Sequence, residues 1–101
     1  MDEPNASTLA AMDSDALTAA LYRHLKATEQ RPLDTRTNRW LGEAQAVAAD
    51  IATSDVSPAV ASDRAAIIVD LLDRAGTVDD SDASRHVATS RALAVELRDR
   101  R

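Results

Sequence analysis

Apolar positions along the chain recur every three or four residues, the period of a helix, and no stretch alternates apolar and polar between turn signals as a strand would. Leu17, Leu21 and Leu25, joined by Ala20, His24 and Thr28, predict a helix over about 14–30. It starts behind the cap candidates Asp13-Ser14-Asp15 and stops before Pro32. Trp40, Leu41, Ala44, Val47, Ala48 and Ile51 predict a second helix over 36–53, opened by caps within Asp34–Thr37. Gly42 falls inside it, at a cost of about 1 kcal/mol relative to alanine. Either a neighbouring helix passes close to that position or the helix begins later. Ser57-Pro58 marks the start of a third helix, 58–75, because proline at the first helical position loses a donor that has no partner there. Val60, Ile67, Ile68, Leu71, Leu72 and Ala75 form its expected inner face, and Gly76 its stop. A fourth helix, 82–99, carries Ala83, Val87, Ser90, Leu93, Ala94 and Leu97.

Residues 1–12 hold, beyond Met1, only Leu9 and Met12 as larger apolar groups and are expected to form a flexible arm or one extra turn of helix. The remainder, 13–101, is expected to be one helical domain. Short connections force consecutive helices to run oppositely, so the expected fold is all-α: an antiparallel bundle of about four helices.

Composition adds a constraint on the core. The 101 residues include 21 Ala, ten Leu and seven Val, with no Phe and single copies of Tyr22 and Trp40. Each large side chain therefore matters, since burying a Leu contributes roughly 1.5–3 kcal/mol and an Ala far less. Thirteen Asp and 11 Arg stand against four Glu and a single Lys, for a net charge of −5. That balance fits a cytoplasmic protein working in concentrated salt, where charge repulsion is screened within a few Å; GC-rich codon usage gives the same bias. No run approaches the roughly 20 apolar residues of a membrane span, and no cysteine is present for a disulfide or a thiolate-bound metal.

The candidate chemistry is sparse. Asp70 and Asp73, with the Asp79–Asp82 cluster, lack the glycine and closing glutamate of a calcium loop and read as a solvated, helix-capping linker. Asp82, His86 and Ser90 share one helical face, yet a regular helix offers neither an exposed, strained nucleophile nor oxyanion donors. No catalytic residue, metal site or cofactor is assigned. His24, followed directly by Leu25-Lys26, is the candidate carrier if the bundle is a histidine phosphotransfer domain; the His-x-Leu-Lys-Gly pattern of such domains is not matched.

Charge is banded: −4 over 1–20, +3 over 21–40, −3 over 41–60, −4 over 61–82 and +3 over 83–101. The two basic bands would serve a nucleic-acid-associated protein through Arg23, Lys26, Arg36, Arg39, Arg91 and Arg98. Salt bridges between basic and acidic helices are the simpler use of the same residues.

The sharpest local feature is Arg39-Trp40-Leu41-Gly42-Glu43-Ala44. Trp40, with Leu41, is a core anchor or the hot spot of a protein interface. This stretch and the Asp-rich, Lys-poor whole resemble small uncharacterised acidic all-helical proteins of extremely halophilic archaea. The resemblance implies an environment and carries over no activity or site residue. The expected function is accordingly a non-enzymatic helical interaction or assembly module, acting as a homodimer or on a protein partner and not at a membrane.

Overall fold

A computed structural model describes residues 4–100. Five α-helices follow in order: α1 (Ala6–Ala11), α2 (Ser14–Ala27), α3 (Thr35–Thr53), α4 (Pro58–Ala75) and α5 (Ser81–Arg98), with a 3₁₀ turn, Thr28–Gln30, closing α2. No strand occurs among the described residues.

The helix starts follow from short polar side chains. Asp13, Asp34, Ser57 and Asp80 each sit in extended backbone and accept the N–H of the residue three positions on, which satisfies one of the donors a helix start leaves open. Pro58 takes the first position of α4 as expected. Its end is fixed by Gly76 at φ 69°, a left-handed backbone that only glycine adopts without strain.

Helices α2 to α5 form a ring in which α2 packs on α5 and α3, and α4 packs on α3 and α5. Cross-helix bonds give the directions. Asp50 near the end of α3 meets Arg64 near the start of α4, and Asp73 near the end of α4 meets Arg91 in α5. Arg31 after α2 meets Asp80 before α5, so neighbours in the ring are antiparallel. Inside it, Leu17, Leu21, Leu25, Leu41, Ile68, Leu93 and Leu97 are almost wholly buried. Alanines 44, 48, 65, 83 and 94, all with no exposed surface, lie between them and let the backbones approach.

Of the two alternatives for the 1–12 stretch, the described residues form a short helix: α1 packs against α5, buries Leu9, and its carbonyl at Leu9 accepts a 2.9 Å bond from Arg100. Two other expectations need correction. Gly42 does not mark a close helix crossing, because a Cβ built there meets nothing within 4 Å. Val60 and Ile67 are not core residues; they are 38% and 50% exposed. In a four-helix ring the buried arc of α4 is already filled by Ala61, Ala65, Ile68, Val69, Leu72 and Ala75, and Val60 and Ile67 fall just beyond its edge.

Candidate functional site

The outer face shared by α3 and α4 is the first candidate. Along α4, Val60, Ile67 and Arg74 stand seven residues apart and so share one stripe; along α3, Trp40 and Val47 do the same. Trp40 is half-buried, packed against the core on one side and open on the other, while its neighbour Leu41 is the true core anchor at 1% exposure. Guanidinium groups gather on the indole: the carbon of Arg39 lies 5.3 Å and that of Arg74 5.6 Å from the ring centroid. At exposed sites such contacts contribute about 0.5–1 kcal/mol each. Arg36 donates to the Arg74 carbonyl at 3.2 Å and adds a third cation. Arg39 also reaches Glu43 (3.7 Å) and Arg74 reaches Asp70 (2.8 Å). At the opposite end of the same face lie Asp50, with Arg64 at 3.5 Å, and Asp63. The face is therefore apolar along its middle, with arginines in excess over acids at one end and aspartates in excess over Arg64 at the other.

The expected nucleic-acid contacts are scattered. Arg36 and Arg39 flank Trp40, whereas Arg23 is exposed on α2 and lines a recess shared with α1. Lys26 lies 5.9 Å from the ring centroid of Tyr22. Arg91 donates twice to Asp73, at 2.9 and 3.4 Å, and the pairing holds the Asp73 carboxyl below its usual range. Arg98 bonds Asp99 at 3.0 Å. Arg91 and Arg98 are thus committed to aspartates, and the six residues form no single stripe.

The second candidate lies in the α2/α5 seam. His24 Nδ1 and His86 Nδ1 are 2.9 Å apart, with ring centroids separated by 5.2 Å and planes tilted by 46°. Burial, the neighbouring His86 and then Arg23 all push the His24 pKa below its ordinary value. His24 is half-buried, turned toward His86, and itself opens onto a surface recess. Beside it is a recess of about 270 Å³ lined by Met12, Ala20, Arg23, Thr89 and Leu93.

The Asp82, His86, Ser90 series does not form a relay. Asp82 pairs with Arg85 and, at 3.6 Å, with Arg31; His86 faces His24; the Ser90 hydroxyl is buried without a hydrogen-bond partner. No group of three or more His, Asp or Glu that could hold a metal occurs among the described residues. No helix there is long and apolar enough to cross a membrane.

The helical period puts Trp40 and Leu41 in one helix and Ile67 on the core face, and it carries no sign that Arg74 comes to Trp40 from another helix. The seven-residue spacing of Val60, Ile67 and Arg74 was the available signal. Nothing local pairs His24 with His86, 62 positions away.

The model of a family described as a domain of unknown function (DUF8152) covers residues 17–101, which is α2 from Leu17 onward and all of α3 to α5, and the chain belongs to that family. No curated protein and no solved structure matches.

Proposed function

We propose that this member of the DUF8152 family is a non-enzymatic assembly module, working in a salt-rich cytoplasm, that pairs with a second copy of itself through the α3/α4 face. The observation that carries the reading is the exposure of Ile67 and Val60, the large apolar side chains that stand open on the described surface, on one stripe of α4 beside the half-buried Trp40. Charge complementarity argues for a second copy as the occupant. In a two-fold pairing with the faces antiparallel, the end of one protomer where Arg36, Arg39 and Arg74 outnumber Glu43 and Asp70 meets the end of the other where Asp50 and Asp63 outnumber Arg64, so the excess charges are opposite. The apolar middle then closes on itself, and Trp40 becomes the anchor of the interface, as buried aromatics commonly are.

Trp40 is the single tryptophan, so its fluorescence reports on this face alone. Raising the protein concentration should shift its emission to the blue as water leaves the indole. Ile67→Asp should abolish the shift while far-ultraviolet circular dichroism stays helical. Emission that does not change with concentration contradicts the reading.

One observation favours a second reading. An indole carrying two guanidinium groups is also a platform on which an unpaired nucleobase stacks, with the phosphates neutralised nearby. Anisotropy of a labelled single-stranded oligonucleotide at low salt tests it: binding that weakens steadily with salt and is lost in Trp40→Ala favours this alternative, and a flat response removes it.

A further inference from the structure

We infer that His24 and His86 form an open two-histidine site for a divalent transition-metal ion such as zinc, clamping α2 to α5. The two imidazoles come from different helices and point the same ring atom at each other, Nδ1 to Nδ1 at 2.9 Å. As a hydrogen bond this contact needs opposite tautomers, one ring carrying its proton on Nδ1 and the other on Nε2, and it holds one proton between two lone pairs. A zinc ion bound by two imidazole nitrogens at about 2.0–2.1 Å in tetrahedral geometry sets those nitrogens about 3.3–3.4 Å apart. The observed spacing thus lies within about half an ångström of a chelating pair, and binding turns both Nδ1 lone pairs from the line between them onto a shared point beside it.

The balance of the binding step is simple. Both Nδ1 lone pairs are donated to the metal, and the ring that had carried its proton on Nδ1 shifts it to Nε2 through solvent. Two of the ion's waters leave, and the others complete the coordination. With both rings neutral no net proton is released. Asp82, one turn before His86, is held by Arg31 and Arg85 and is not a further ligand.

The test is a calorimetric titration of zinc chloride into the metal-stripped full chain at pH about 7.5 in a non-coordinating buffer, alongside His24→Gln and His86→Gln. The expected result is one saturable site with a rise in Tm on zinc addition, both lost in each variant, because an ion that binds only the folded chain stabilises it. Absence of saturable uptake by the unsubstituted chain, or uptake retained in either variant, overturns the proposal. Ring ¹⁵N chemical shifts of the unsubstituted chain supply a readout that needs no variant to fold. Zinc should move the Nδ1 resonances of both histidines, and shifts that stay in place also overturn it.

Discussion

Arg31, just beyond α2, grips Asp80 at the start of α5 with two bonds, Nε to Oδ2 at 2.8 Å and Nη2 to Oδ1 at 3.0 Å. The same carboxylate caps α5 by accepting the Ala83 N–H at 2.9 Å. One side chain thereby fixes the start of a helix and ties it to a segment 49 positions away.

That double use has a pH signature. The Arg31 bonds first, and the Ala83 N–H second, hold the Asp80 carboxyl down to about 2, against an ordinary 3.8. A carboxyl depressed on folding contributes stability that is fully present above its unfolded value and is lost as pH falls through the folded one. Urea midpoints should therefore drop between pH about 4 and about 2. Asp80→Asn should flatten that drop, since asparagine still caps the helix but cannot ionise. Equal acid slopes for both proteins contradict the assignment.

His24 gives a pH signature in a higher window. A base whose pKa is lowered on folding stabilises the fold above its unfolded value and loses that contribution as pH falls below it. His24, lowered from 6.5, should make the metal-free chain less stable on going from pH about 7.5 to about 5.5. Arg23 beside it on α2, and His86 facing it from α5, both oppose protonation, while Asp82 on α5 is occupied by arginines. Thermal denaturation in a chelating buffer checks this: His24→Gln should remove most of the slope, and an unchanged slope assigns it elsewhere.

Gly42 occupies a helical position whose added Cβ meets open space, at negative φ. Gly42→Ala should raise stability by about 1 kcal/mol, read from chemical denaturation, through helix propensity alone. No gain implies a contact at this position that the isolated chain does not make.

Ser90 has no exposed surface and a hydroxyl without a partner. An unsatisfied buried hydroxyl costs about 1–3 kcal/mol, so Ser90→Ala should be neutral or stabilising by about 1 kcal/mol. A marked loss of stability instead assigns the hydroxyl a partner in solution.

Much of the fold was legible because its determinants are local. Asp13, Asp34, Ser57-Pro58 and Gly76 each act within one helical turn, and α4 runs over the residues its punctuation predicts. The other helices differ at their ends, where α2 tightens into the Thr28–Gln30 turn and α3 and α5 begin one residue early behind aspartate caps. The candidate sites were less legible for a physical reason. Helical periodicity marks a stripe as apolar but not how wide an arc the neighbours cover, so Ile67 and Ile68 look alike in sequence and are 50% and 0% exposed in the fold. The meeting of Arg74 with Trp40, and of His24 with His86, depends on which helices become neighbours. One Leu in a polar stretch gave no sign that α1 would dock, because its anchoring bond comes from Arg100 at the other end of the chain.

The most direct measurement is molar mass by light scattering across a protein concentration series, at low and at multimolar KCl, with Ile67→Asp run beside the unsubstituted chain. Pairing through the α3/α4 face predicts a species of twice the 10.8 kDa chain mass that persists in high salt, and a folded monomer for Ile67→Asp. A folded monomer for the unsubstituted chain at every concentration, or a dimer that Ile67→Asp leaves intact, contradicts it.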